Sequence, residues 1–265
     1  MIGAIFGDIV GSRFEFDRGG HTKDFELVTP ASEFTDDSVM TIALANGLLY
    51  SLNIEDEEEI KNNIINSMQY YGNKYPYAGY GARFIYWLQE KDPKPYGSYG
   101  NGSAMRVSSV GWLYDSLEKT RKMARLSAEI SHNHPEGIKG ADATASVIYL
   151  ARTGKNKAEI KEFIEKEFDY DLSETLDQMR LRHRHEETCM DSLPKALRSF
   201  FDGTSYEDVI RNAVSLGGDT DTLAAIAGAM AESYYGIPDE LKNKCLSMIP
   251  TCFKEVINRF NVMLK

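Results

Sequence analysis

Residues 215–236 read SLGGDTDTLAAIAGAMAESYYG: a Gly-Gly pair, the cluster Asp219-Thr220-Asp221-Thr222, and then an apolar run with helical spacing that stops at Gly236. Oxygen-bearing side chains at the start of such a run fit a helix N-terminus, and the glycine at its end fits a helix stop. Almost a whole chain earlier, residues 34–45 (FTDDSVMTIALA) repeat the arrangement. There Thr35, Asp36, Asp37 and Ser38 stand before a second helical run. With Thr35 as cap, Asp36 and Asp37 lie about 100° apart on the helix and both reach beyond its N-terminal end. Asp219 and Asp221, about 200° apart inside a regular helix, would face opposite ways. With Asp219 in the cap conformation, its carboxylate can instead turn back toward Asp221 and Thr222. The glycines before it permit the tight backbone approach.

The pattern has an ordinary use, since Thr, Asp and Ser are common N-caps and acids in a first turn complement the helix dipole. It also has a chemical one. Carboxylates and hydroxyls with no Cys or His nearby are the ligand set for a hard divalent cation such as Mg²⁺, Mn²⁺ or Ca²⁺. If the fold brings the two clusters together, four Asp carboxylates share one site, a charge density that calls for metal.

Helix is expected nearly everywhere. Apolar residues recur at helical spacing in residues 39–52, 60–71, 84–88, 107–114, 123–130, 141–151, 160–168, 206–215, 223–235 and 253–264, and strand-like alternation is scarce. Pro194, Pro238 and Pro250 stand where helices would begin, and Gly154 and Gly236 where they would end. Gly3, Gly7 and Gly11 are spaced four apart and line one helical face. Each costs roughly 1 kcal/mol against Ala inside a helix, so close contact with a second helix is expected to compensate. On the same helix Asp8 and Glu15, seven apart, are expected on one face. Asp8 would bond a helix terminus, and Glu15, near the helix end, would point into a cleft. An all-α orthogonal bundle follows. With no linker, repeat or low-complexity stretch, residues 1–265 are expected to form a single domain.

A net charge of −10 with no basic stripe argues against a DNA or RNA backbone as partner. No apolar run approaches the roughly 20 residues of a membrane span, and the first ten residues have no basic leader. The three cysteines, Cys189, Cys245 and Cys252, form no CxxC pair. A soluble, reduced, cytoplasmic protein is expected.

Two further patches bear on chemistry. Residues 99–106, YGNGSAMR, are a glycine-bearing loop running into a helix, which can serve as an anion site or as a plain Asn-Gly turn. Residues 131–137, SHNHPEG, lie at a helix junction. There His132 or Asn133 is expected to make a polar ligand contact or a cap rather than bind zinc. His183 and His185 fall in a very polar stretch and read as solvated loop. The aromatic-rich segment 70–80 either stacks on a purine or sugar or packs as a loop on the core.

Taken together and in this order, residues 3–16 (GAIFGDIVGSRFEF), 34–45, 100–106 (GNGSAMR), 131–143 (SHNHPEGIKGADA) and 215–236 resemble the ADP-ribosylglycohydrolase family, over residues 1–236. The resemblance implies an all-α fold with two Mg²⁺ ions in a cleft, Mn²⁺ being a possible substitute. It also implies hydrolysis of the bond between C1″ of ADP-ribose and an acceptor, with ADP-ribosyl-arginine or a related linkage on a protein or small molecule expected. It assigns Thr35, Asp36 and Asp37 to one side of the metal pair and Asp219, Asp221 and Thr222 to the other. Gly100, Asn101, Gly102 and Ser103 would receive the pyrophosphate and nearby ribose, and His132 would contact the ADP-ribose. Glu15 matches an acid of the serine-linked branch and is the expected catalytic base, with Asp36 or Asp37 as fallback. The arginine-linked branch carries a catalytic Asp between the first acidic motif and the glycine loop; residues 73–83 here hold no Asp or Glu. Two other classes stay open: a Mg²⁺-dependent hydrolase of a free ADP-ribose derivative or other nucleotide, and a non-catalytic ADP-ribose binder.

Overall fold

A computed structural model describes residues 1–17, 22–181 and 185–264. His183 lies outside them. The elements, in order, are α1 (Ile2–Gly11), a 3₁₀ segment (Ser12–Asp17), α2 (Asp36–Tyr50), α3 (Glu57–Lys74), α4 (Ala82–Gln89), α5 (Gly102–Met105), α6 (Ser108–Leu113) and α7 (Leu117–Glu129). They continue with α8 (Pro135–Arg152), α9 (Lys157–Phe168), α10 (Leu176–Leu181), α11 (Cys189–Asp202), α12 (Tyr206–Val214), α13 (Thr220–Tyr235), α14 (Asp239–Met248) and α15 (Thr251–Met263). Among the described residues the only β pairing is an isolated bridge, Gly100 to Thr188. The chain is all-α, as its periodicity predicts.

At the centre α1 lies against α13. All ten residues of α1 are buried, as are nearly all of α13 from Thr220 to Ser233. The glycine face makes this possible. A Cβ on Gly7 would stand 2.1 Å from the Ala224 carbonyl oxygen, and one on Gly11 2.4 Å from that of Thr220. Gly3 and Gly228 face each other in the same way. The expected helix contact is therefore a backbone-to-backbone one. Around this pair α2 packs on α3, α7 on α8, and α11 and α12 on α13, enclosing one contiguous apolar cluster.

The helix starts follow capping chemistry. Thr35, Asp56, Ser116, Asn156, Thr188 and Ser205 each accept a hydrogen bond from a first-turn N–H, and Asn156 with Glu159 closes a capping box. Pro238 and Pro250 stand at helix starts and Gly154 and Gly236 at helix ends, as expected. Pro194 does not. It lies inside α11, which starts five residues earlier at Cys189 under the Thr188 cap. A second correction concerns Glu15. α1 stops at Gly11, and the chain then turns so that Glu15 is extended (φ −51°, ψ 152°) and Phe16 left-handed (φ 56°). Glu15 reaches the cleft through this kink and does not share a helix face with Asp8. No helix among the described residues is long and apolar enough to cross a membrane.

Candidate active site and its acidic centre

The N-termini of α2 and α13 meet. The Thr222 hydroxyl, in the first turn of α13, donates to Asp37 Oδ2 at 3.0 Å, joining the two clusters across 185 residues. What holds α2 in place is Asp8, fully buried in the middle of α1. Its carboxylate accepts from the Thr35 N–H (2.9 Å), the Thr35 hydroxyl (2.8 Å), the Ser38 N–H (3.0 Å) and the Ser38 hydroxyl. This is the helix-terminus role read for it from the sequence. On the other side Gly217 and Gly218 take left-handed conformations (φ 70° and 78°) and turn the chain into Asp219, the N-cap residue of α13. Asp219 does not cap with its side chain. Its carboxylate is hydrogen-bonded with Asp221 and accepts from Asn101 Nδ2 at 2.6 Å.

Carboxylate oxygens of Glu15, Asp219 and Asp221 lie within 4.8 Å of one another, close enough to share a metal ion. Asp36 and Asp37 face the same cleft. Burial, reinforced by mutual repulsion, pushes Asp36, Asp37 and Asp221 well above the usual carboxylate range. Burial likewise raises Asp219, and it raises Asp8 to about 6 against the hydrogen bonds that favour its charge. Asp37 Oδ1 is buried with no hydrogen-bond partner. An orphaned carboxyl oxygen inside such a cluster fits the donor set of a hard cation better than a set of caps. Thr35 lies apart from the lining. Its hydroxyl is used by Asp8 and by the Asp37 N–H.

The cleft has a volume of about 530 Å³. Gly100, Asn101, Gly102 and His132 line it, and Ser103 does not. Ser103 is fully buried, its hydroxyl donating to the Gly137 carbonyl at 2.7 Å, because the first turn of α5 directs it at α8. Asn101 spends its amide on Asp219 and on Ser192 Oγ (2.8 Å), so it positions the acidic centre. Gly102 leaves room for the His132 ring, whose Nε2 would stand 3.1 Å from a Cβ there. His132 Nδ1 pairs with Ser131 Oγ at 2.8 Å. Burial, with Arg106 and Arg83 nearby, keeps the ring well below its usual pKa and therefore neutral.

Several lining residues were not singled out from the sequence: Tyr80, Arg83, Phe84, Tyr96, Arg106 and Glu187. Arg106 stood inside a quoted motif, and Tyr80 ended the aromatic segment; nothing in the local sequence marked the others. His185 is half-buried rather than solvated. It stacks near Phe16 (4.9 Å), and its Nε2 lies 2.9 Å from Glu187.

The ADP-ribosylglycohydrolase family profile matches residues 1–263. The chain belongs to the ADP-ribosylglycohydrolase family. That name denotes hydrolysis of glycosidic bonds to ADP-ribose, which makes the chain a hydrolase of this class. Human ADP-ribosylhydrolase ARH3 is 28% identical, over 92% of this chain and 87% of its own. ADP-ribosylarginine hydrolase Tri1 of Pseudomonas putida (strain GB-1) is 26% identical, over 89% of this chain and 70% of its own. A solved structure titled "ADP-ribosylglycohydrolase-related protein complex" superposes with a TM-score of 0.67 at 22% identity, covering 99% of this chain and 95% of that one, and so shares the fold.

Proposed function

We propose that this family member is a Mg²⁺-dependent enzyme, using two ions, that cleaves the C1″ bond between ADP-ribose and an arginine or related acceptor. The observation that carries this reading is the meeting of Asp36, Asp37, Asp219 and Asp221 beside Glu15 in one cleft that the glycine loop and His132 also line. Asp36, Asp37, Asp219, Asp221 and the Thr222 hydroxyl would hold the cations. When bound, they supply charge neutralisation and a grip on vicinal ribose hydroxyls.

The remaining roles fall to the chain itself. Glu15, half-buried on the cleft wall, takes a proton from the water that adds to C1″. The C1″–acceptor bond breaks through an oxocarbenium-like state, a C1″–O bond forms, and the acceptor leaves with a proton equivalent to the one Glu15 took from water, which restores the carboxylate. Asn101 keeps Asp219 in place during this change. His132, neutral and anchored on Ser131, offers Nε2 to the ligand as a hydrogen-bonding group.

The test is incubation with arginine-, serine- and acetyl-linked ADP-ribose, with Mg²⁺ and with EDTA, followed by chromatography. Intact ADP-ribose in the Mg²⁺ samples alone is expected. AMP as product would point to pyrophosphate cleavage instead, and full turnover in EDTA would refute the metal role. Glu15→Gln is expected to slow release by about 10²-fold or more while the protein stays folded.

A further inference from the structure

A second cavity, of about 430 Å³, lies between α2, α3 and α15 and shares no lining residue with the acidic cleft. Cys252 opens onto it. Cys189 and Cys245 are buried, which pushes their thiols up, whereas Cys252 is half-buried and within reach of a reagent. Its surroundings favour the thiolate. The Tyr75 hydroxyl lies 3.1 Å from the sulfur, and the exposed Lys74 ammonium is close enough for the two charges to act on each other.

The cavity also holds groups that the fold itself does not use. Tyr71 is 5% exposed, yet on the cavity wall its hydroxyl makes no hydrogen bond among the described residues. Glu255 and Arg259, both lining residues, stand one turn apart on α15 at the spacing that suits an ion pair. None joins them among the described residues. The Arg259 guanidinium instead lies 5.1 Å from the Tyr50 ring centroid and donates one N–H to Asn46 Oδ1 at 3.3 Å. A cation, an anion and a buried hydroxyl around one thiol suit a sulfur ligand that carries both carboxylate and ammonium groups.

Through Tyr75 this thiol is also coupled to the acidic centre. The Tyr75 ring packs edge-on against Phe34 (5.7 Å) and Phe253 (5.2 Å), and Phe34 immediately precedes Thr35 and Asp36. Tyr75 also opens the segment 75–81, whose Ala78 carbonyl accepts from the Asp36 N–H at 2.8 Å. Gly79, Tyr80 and Gly81 then line the acidic cleft. A group added to the sulfur takes the space and the hydrogen bond that hold Tyr75, and both routes from Tyr75 end at Asp36.

We propose that Cys252 is a reversible modification site for an amino-acid-derived disulfide, and that the adduct loosens Asp36. The thiolate attacks one sulfur of the small disulfide; the Cys252 S–S bond forms, the original S–S bond breaks, and the second half leaves as a thiolate. Arg259 meets a carboxylate of the bound half and Glu255 its ammonium. A thiol reductant reverses the exchange. The site stands by itself, while its effect on metal uptake rests on the functional reading above.

The experiment treats the intact protein with oxidised glutathione or with the neutral 2-hydroxyethyl disulfide, for wild type, Cys252→Ser and Arg259→Gln. Peptide mass spectrometry locates and times the adducts, and calorimetry follows Mg²⁺ uptake. Adducts are expected at Cys252 alone, with Mg²⁺ uptake several-fold weaker and restored by dithiothreitol. Relative to the urea-unfolded chain, folded wild type is expected to prefer oxidised glutathione by up to about five-fold, the worth of one exposed ion pair, and Arg259→Gln to lose that preference. Cys252→Ser is expected to form no adduct and to keep its Mg²⁺ uptake under treatment. Adducts at Cys189 or Cys245 in place of Cys252, or no preference in wild type, overturn the proposal. So does a Cys252 adduct that leaves Mg²⁺ uptake unchanged. No Mg²⁺ uptake by untreated wild type overturns the functional reading and not the thiol site.

Discussion

Replacing Gly7 by Ala tests the link between the central helix pair and the acidic centre. The added Cβ would stand 2.1 Å from the Ala224 oxygen, 2.5 Å from the Ala224 carbonyl carbon and 2.9 Å from the Ala225 nitrogen. All three are helix backbone, so no side chain can swing aside. Ordinary contact between such atoms is about 3.5 Å, so α1 and α13 must separate by roughly 1 Å along a face where every neighbour is buried. Overpacking of this kind costs about 1–3 kcal/mol, and three backbone contacts place Gly7 at the upper end. Ala returns about 1 kcal/mol of helix propensity over Gly. The net loss is about 2 kcal/mol, or roughly 4–8 °C in melting temperature for a chain of this size. The assay is urea and thermal unfolding followed by circular dichroism, in EDTA and again in Mg²⁺. Because α1 carries Asp8 and α13 carries Asp221, the variant is also expected to take up Mg²⁺ more weakly. Gly3→Ala, whose nearest neighbours include the Glu232 side chain, is expected to cost less. A Gly7→Ala protein as stable as wild type would refute the close-packing argument.

Three further outcomes are expected. Asp36→Asn and Asp221→Asn should abolish Mg²⁺-dependent turnover yet melt no lower than wild type in EDTA, since each removes a buried charge repelled by its neighbours; scanning calorimetry and product chromatography together check this. Asp8→Ala leaves the N–H and hydroxyl groups of Thr35 and Ser38 without their acceptor and should cost about 3 kcal/mol in urea unfolding, with Asp8→Asn recovering part. In EDTA the melting temperature should fall as pH rises through about 4 to 6. Asp8 binds its proton more tightly folded (about 6) than unfolded (3.8), so its favourable term is present below that window and lost across it; a rising curve there would count against the buried cluster.

The helices were legible because their periodicity is strong and their caps are local. The ten apolar runs fall on α2, α3, α4, α6, α7, α8, α9, α12, α13 and α15. α11 falls outside those runs, although Cys189, Ser192, Leu193, Ala196, Leu197 and Phe200 bury one face of it, because Pro194 reads as a helix start. A Pro several residues into a helix forgoes one intrahelical hydrogen bond, and the Thr188 cap and the buried face outweigh that loss. The acidic centre was legible because two clusters of one composition flank two helix starts. Arg83 was not, since nothing in the local sequence marks the first turn of α4 as part of the cleft wall. Glu15 lines the cleft, but not by the shared helix face that its spacing from Asp8 predicts. Its position depends on the left-handed turn at Phe16, which no local pattern announces.

Whether the two clusters are only helix caps can be decided by comparing energies. An acid in a first helical turn contributes about 0.3–1 kcal/mol at an exposed site. At α2 the cap is already made by the Thr35 hydroxyl to the Asp37 N–H, with Asp8 holding Thr35 and Ser38 from below. At α13 the N-cap residue Asp219 makes no side-chain cap at all. The carboxylates of Asp36, Asp37 and Asp221 are therefore surplus to capping, and burial and mutual repulsion oppose their charge. An unpaired buried oxygen such as Asp37 Oδ1 costs about 1–3 kcal/mol alone, more when charged, and exceeds the dipole benefit. Stability cannot be what this arrangement serves. A dication bound only by the folded state offsets the deficit by mass action, about 2.7 kcal/mol at a hundred times its dissociation constant. The melting temperature should then rise with Mg²⁺ in wild type and rise far less in Asp36→Asn, a difference that plain helix caps would not produce.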